Sequence, residues 1–403
     1  MLLAAAVSGP LVAPCAILLL PIALTVVFWR SALRARDAER RTVWVGYRGF
    51  SRFILAATVA GWWMEWDFRG RSELPPIVVG IWPGTLGASS AETLLFWLPP
   101  MASLAIFLFS CYAIDRTLLK QRWSLFDIAR RIWWRLASFV IPLQMVAAGF
   151  TAIFQGKVTG TAWLLGAGVL SRIGTGFLRR AEGMRFNRLK SGELRNRALK
   201  MASQMGVTLG RVYMVPAGKG HLTNAYGMSN AIGLTDSLGK YLTKPQIDYV
   251  IAHELARVKL RHARKHLLLV VGIFSTMTLL LFRFSQYALP LHTLAQFAVI
   301  FGPLGIIYYL SRQFEYSADR VAVEFTGEPE VAIRGLMNLY KVDEVSMQIA
   351  KFSEFFMTHP PLASRVDAIA RIGQIPAQEL SRVLNDAGAA PVPGQDVKPI
   401  RPS

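Results

Sequence analysis

Cysteine and charge are both scarce in this sequence. Its only two cysteines, Cys15 and Cys111, lie inside apolar runs, which excludes a disulfide framework and a paired-cysteine metal site. Charged residues fill 17% of 403 positions, against 53% hydrophobic ones, and mean hydropathy is +0.35. That balance excludes an ordinary soluble enzyme and implies several segments placed in lipid. Acids are the scarcer sign: 25 against 45 basic residues leave a formal net charge of +20. No aromatic-basic motif of nucleic-acid readers accompanies that excess, so nucleic acid is not an expected partner. The basic residues instead stand beside apolar segments, where they set orientation and meet anionic lipid.

Stretches without charge mark the spans. Residues 1–29 and 93–114 carry none, and each is long enough for a spanning helix of about 20 residues. The runs 136–154, 267–282 and 293–310 follow, with weaker ones at 53–66, which contains Glu65, and at 158–171, which is short and Gly-rich. The count is seven. Met1 to Trp29 has no basic start and meets its first charge at Arg30, so it reads as a retained span rather than a cleaved leader. Basic clusters from Arg30 to Arg52, Arg116 to Arg135 and Arg172 to Arg188 follow the first, third and fifth spans. An external N-terminus puts all three in the cytoplasm. The polar stretch 179–266 and the chain from Ser311 onward then share that face. The expected architecture is membrane α, about seven helices, with a small cytoplasmic α+β domain. Residues 1–178 form the membrane domain, and 179–372 form the second domain, interrupted by a two-span hairpin at 267–310. The Pro-, Gly- and Ala-rich tail 373–403 reads as disordered.

Within the second domain, Ser191 to Met205 reads as an amphipathic helix, and Val212 to Val215 and Ala231 to Thr235 read as strands. Thr243-Lys244-Pro245-Gln246 is a capping box with an early proline. It opens a helix containing "HELAR" (His253 to Arg257), expected to run unbroken to His266 at the membrane edge. Three further elements stand out: "NAYG" at Asn224 to Gly227, "EYSAD" at Glu315 to Asp319, and "THPP" at Thr358 to Pro361. Taken singly, each has a plain reading. Glu254 is a helix acid near an arginine, and Glu315 with Asp319 is an i,i+4 pair. Asn224 is turn chemistry, and His359 ends a loop before a helix holding Ala363, Val366 and Ile369.

Taken together, their order, their spacing and the hairpin between "HELAR" and "EYSAD" resemble the integral-membrane zinc metallopeptidases. That family includes the CAAX prenyl endopeptidases and the bacterial heat-shock membrane protease. The resemblance covers about Ser191 to Ile372 and implies a gluzincin-like site with an HExxH helix. It makes His253 and Glu315 metal ligands, Glu254 the general base, and Asp319 the carboxylate that orients a ligand histidine. It makes His359 an oxyanion stabiliser, and Asn224, Ala225 and Tyr226 a strand that holds extended peptide. It further implies zinc, a peptide or membrane-protein substrate, and a multi-pass protein of the bacterial inner membrane with its catalytic-like domain in the cytoplasm.

One residue departs from that pattern. Position 257, where the second histidine ligand belongs, is Arg257. A guanidinium has no free lone pair and stays charged, so it repels a cation. On one continuous helix, His262 falls on the face opposite His253 and His266 well off it; His221, in the Gly-rich loop, is a further candidate. Two readings follow. Either another residue completes a zinc site and the chain hydrolyses peptide bonds, or it is a metal-free pseudoprotease. In the second reading Arg257 pairs with Glu315, and also with Glu254, and the chain binds peptides or membrane partners without cleaving them.

Overall fold

The computed structural model describes residues 12–34, 102, 105–112, 124–134, scattered positions between 145 and 170, 186–216, 225–284 apart from 229, 289–342 and 359–389. They fall in two compact units, one drawn from 1–29 and 54–185, the other from 30–53 and 186–403.

The first unit contains most of helix α1 (Val12–Arg34), which accommodates Pro21. One turn on, the Thr25 hydroxyl donates to the Pro21 carbonyl. A helix over 125–134 opens on Ser124, which exchanges hydrogen bonds with Asp127 in capping-box fashion. Ile128 and Ile132 of that helix pack with Tyr112. Among the described residues no helix is long and apolar enough to cross a membrane. The spans expected at 53–66 and 136–154 lie outside the described residues, except for Met145.

In the second unit the chain runs β1 (Asn187–Arg188), α2 (Glu193–Gln204), β2 (Arg211–Val215), β3 (Ala225–Gly227), β4 (Ala231–Thr235), the short α3 (Leu238–Tyr241) and α4 (Lys244–Lys259). Helices α5 (His262–Phe284), α6 (Leu289–Thr326), α7 (Pro329–Val342), α8 (Leu362–Ile372) and α9 (Ala377–Ala389) complete it. The sheet order is β1-β2-β4-β3, with β2 and β4 parallel and the outer pairs antiparallel. All five β4 residues are buried, as a central strand requires. β3 is left at the edge.

Two helices determine where the site lies. Helix α4 is buried nearly all round: Ile251, Ala252, Leu255 and Ala256 are fully enclosed, as is the polar pair His253 and Glu254. It packs chiefly against α6, where Ala318 and Ala322 are likewise enclosed. Small residues on both partners let the backbones approach. At 1.5 Å per residue, the 38 residues of α6 extend about 57 Å, nearly twice the roughly 30 Å of bilayer hydrocarbon. One rigid rod therefore carries both the apolar run 293–310 and the polar turn bearing Glu315 and Asp319.

Two expectations are corrected. The helix through "HELAR" does not run unbroken to His266. It ends at Lys259, and Arg261 takes a left-handed conformation (φ 54°) before α5 begins. Neither Gly nor Pro marks that break, so it carries a backbone penalty of about 1–2 kcal/mol. The residues after Gly373 are not disordered throughout. Helix α9 places Val383 and Ala387 in the core, and Lys341 on α7 donates to the Ala387 carbonyl. Its apolar positions Leu380, Val383, Leu384 and Ala387 have helical spacing. Residues 390–403 lie outside the described residues.

The start of α4 is built as its sequence indicates. The Thr243 N–H donates to Gln246 Oε1 at 3.1 Å, and Asn338 of α7 donates to the same oxygen at 3.2 Å. Thr243→Ala is expected to destabilise the domain by about 1 kcal/mol, read as a lower thermal midpoint of the detergent-solubilised protein with little change in far-UV circular dichroism.

Candidate active site

The site is assembled on Asp319, which is wholly buried on α6. Its Oδ1 accepts from Tyr249 Oη at 2.8 Å and lies 2.8 Å from His253 Nδ1. Arg365 of α8 grips the same carboxylate with both arms, Nε to Oδ2 at 2.8 Å and Nη2 to Oδ1 at 2.7 Å. Burial alone would raise the Asp319 carboxyl, but the Arg365 charge and the hydrogen bonds outweigh it and hold it low. Tyr249 and His253 are one turn apart on α4, so one carboxylate orients both.

One turn before Asp319, Glu315 forms the second centre. His253 Nε2 faces its Oε2 at 3.6 Å, an ion-pair distance rather than a hydrogen bond. His359, just ahead of α8, brings Nδ1 to 3.2 Å from the same oxygen. Burial opposes ionisation of Glu315, yet the two histidines outweigh it and hold the carboxyl well below its ordinary range. Burial likewise disfavours charge on His253, but Asp319 and Glu315 together lift its imidazole to about 9.

Arg257 occupies the space between Glu254 and Glu315. Its Nη1 lies 3.4 Å from Glu254 Oε1 and 3.9 Å from Glu315 Oε1. Burial works against its charge, and Glu254 followed by Glu315 restores it. The other oxygen of Glu254 is buried with no hydrogen-bond partner. Gly227 of β3 covers it: a Cβ there would come within 2.7 Å of Oε2. The edge strand thus lies directly over Glu254, and a side chain at 227 would displace that carboxylate oxygen.

A zinc site needs three protein ligands that can all donate lone pairs. Here His253 and Glu315 supply two, and the third helix position is a fixed cation within 4 Å of both neighbouring carboxylates. Among the described residues no group of three His, Cys, Asp or Glu side chains is arranged to hold a metal ion. The described residues do not fit zinc.

Of the residues singled out in the sequence, His253, Glu254, Arg257, Glu315, Asp319 and His359 converge, and Ala225 and Tyr226 lie on the edge strand above them. Asn224 and His221 lie outside the described residues. His262 departs from its expected place. The break at Arg261 turns it inward, where it stacks on Phe314 (4.8 Å) and meets Ser317 Oγ at 3.2 Å. Burial, then the Arg257 charge, push it down to about 4, so it is a neutral packing residue and not a charged membrane-edge one. Sequence reasoning missed Arg365 and Tyr249. The signals were there: Arg365 shares a helix face with Leu362 and Ile369, both buried, and Tyr249 precedes His253 by one turn.

Residues 188–372 match the family model described as Peptidase family M48. A Protease HtpX homolog of Helicobacter pylori (strain Shi470) is 31% identical over 168 residues, spanning 36% of this chain and 54% of that protein. Protease HtpX of Yersinia pestis (strain Pestoides F) is 25% identical over 209 residues, spanning 43% of this chain and 71% of its own length. The chain thus covers only about half the length of the Helicobacter relative. The crystal structure of S. mikatae Ste24p superposes with a TM-score of 0.57 at 16% identity, covering 89% of this chain and 98% of that one, a likeness of fold.

Two outcomes follow from this geometry. Arg365→Met leaves Asp319 buried without its strongest counter-charge, and is expected to destabilise the domain by about 3–5 kcal/mol in chemical denaturation. For His253, the folded imidazole value of about 9 lies above the free value of 6.5. Its stabilisation is therefore complete below about pH 6.5 and is lost as pH rises through 9. The thermal midpoint should fall across that window, and His253→Gln should flatten the fall.

Proposed function

We propose that this chain, whose residues 188–372 match the model of Peptidase family M48, is a membrane-embedded pseudoprotease that binds extended peptide without hydrolysing it. Arg257 carries the reading. Its guanidinium takes the place where a second histidine would complete the metal set, and it joins α4 to α6 electrostatically through Glu315. The charge-free runs of the sequence and the rod-like α6 support placement of the site at a membrane face. The direction of the basic loops supports the cytoplasmic face of a bacterial inner membrane.

The edge strand supports peptide binding. Met228 donates to the Ala231 carbonyl at 2.8 Å, which sets the parity of the β3–β4 ladder. Tyr226 then pairs inward with Gly233, while Gly227 turns its N–H and C=O groups away from β4. An extended segment can add to that edge by main-chain hydrogen bonds. The strand stands over Glu254, with a Cβ on Gly227 reaching within 2.7 Å of its Oε2, which supports peptide binding beside the site.

Zinc content of the purified full chain tests the reading. We expect well under about 0.1 zinc per chain in the wild type and roughly one in Arg257→His, with protease activity on an unfolded protein such as casein only in the variant. Stoichiometric zinc in the wild type, together with casein cleavage, would overturn it.

A further inference from the structure

We propose that the turn between α4 and α5 is a receptor for the headgroup of an acidic phospholipid, which seats the domain against an anionic bilayer surface. This rests on the membrane-face placement above and is independent of whether bound peptide is cleaved.

Four cations meet at that turn. Lys259, Arg261, Arg264 and Lys265 are all exposed, and none has a carboxylate partner among the described residues. Residues 255–314 contain no Asp or Glu at all. The opposite end of α4 differs: there Lys244 meets Glu193 at 2.8 Å and Arg197 pairs with Asp248. Ordinary solvated surface mixes the two signs of charge in this way, whereas the α4–α5 turn presents one sign only.

An apolar surface begins directly beside it. On α5, steps of three and four residues from Arg261 reach Arg264 and Lys265, then Leu268, then Val271, so all share one face. Leu267, Leu268 and Val271 are each more than half exposed. The change from cation to bare hydrocarbon takes place between Arg264 and Leu268, about 6 Å along the helix. Helix α6, packed against α5, repeats the boundary at the same level. His262 of α5 stacks on Phe314 of α6, and from that contact Leu268 and Tyr309 lie about 9 and 8 Å along their helices. Tyr309 and Ile306 are both exposed, with the amphipathic tyrosine nearer the charged level, as at a lipid–water boundary. A soluble anion would use the cations alone. The apolar band beside them selects a ligand that carries a phosphate and acyl chains together.

The backbone agrees with this assignment. Arg261 holds the left-handed conformation that turns His262 inward and leaves the neighbouring cations outside. Glycine would adopt it freely; arginine is strained there but adds the fourth charge.

The full chain in detergent is titrated with short-chain phosphatidylglycerol and with phosphatidylcholine, and bound lipid is counted by native mass spectrometry. Each cation near an anionic surface contributes about five-fold in affinity. We therefore expect phosphatidylglycerol to bind at least about ten-fold more tightly, with the preference abolished in Arg261→Gln/Arg264→Gln/Lys265→Gln. The same charge loss at exposed residues elsewhere, Lys200→Gln/Arg320→Gln/Arg382→Gln, should leave it intact. Arg261→Gly suits the left-handed turn, so it should raise the thermal midpoint yet weaken phosphatidylglycerol binding about five-fold. That variant separates lost charge from lost folding. No preference in the wild type, or an equal loss in the control, overturns the receptor. Inorganic phosphate that displaces the lipid at equal concentration assigns the turn to a free anion and overturns the bilayer seat. Resistance to alkaline carbonate extraction is measured in parallel. A chain that stays in the membrane without lipid preference loses only this inference, and a chain that is extracted loses the membrane placement as well.

Discussion

The buried Asp319 carboxylate is the constraint from which the rest of the site follows. A charge with no exposure persists only when it is fully paired and hydrogen-bonded. Asp319 meets that condition by drawing on three helices: Tyr249 and His253 from α4, and Arg365 from α8, around its own place on α6. The register of α4 against α6 is thereby fixed at one turn. Fixing Asp319 also fixes Glu315 one turn earlier, and with it the distance to position 257. The position of each site residue depends on this single pairing.

The same frame sets the charge balance around Glu315. Glu254 and Glu315 bring two negative charges into a low-dielectric space. A divalent ion held by neutral histidines would supply two positive ones. Here two monocations supply them, Arg257 by its chemistry and His253 by taking a proton. The arrangement is self-reinforcing: the protonated imidazole holds Glu315 ionised, and ionised Glu315 favours the proton on His253. The change at 257 therefore removes one potential ligand directly.

How much of this was legible in the sequence depends on the range of the interaction. Contacts within one helical turn were readable: the cap at Thr243 and Gln246, the His253–Glu254–Arg257 turn, and the Glu315–Asp319 pair. The His253–Asp319 link, 66 residues apart, came only with the family resemblance. Arg365 was missed because an arginine in a short amphipathic helix ordinarily faces water, and only its partner's burial shows that it does not. The break at Arg261 was missed because turn chemistry uses Gly or Asn for a left-handed residue, and here an arginine is strained into that role. That miss propagated, since the face assigned to His262 assumed one straight helix. The tail shows the opposite bias: Pro and Gly beyond 390 obscured a helical apolar spacing over 380–387.

Stability alone does not account for the network. Buried ion pairs are at best near neutral against well-packed apolar residues of the same size, and this one leaves a Glu254 oxygen unpaired and Arg257 contacts too long to be strong. A site built only to hold α4 to α6 would close Arg257 onto Glu315 with two short bonds and let a side chain at 227 fill the groove. Instead position 227 is a glycine with its edge turned outward, and the guanidinium keeps two donors free at a partly exposed mouth. Loosely satisfied charge at a partly exposed mouth is the signature of a surface awaiting a partner. That is why the site reads as a place of binding.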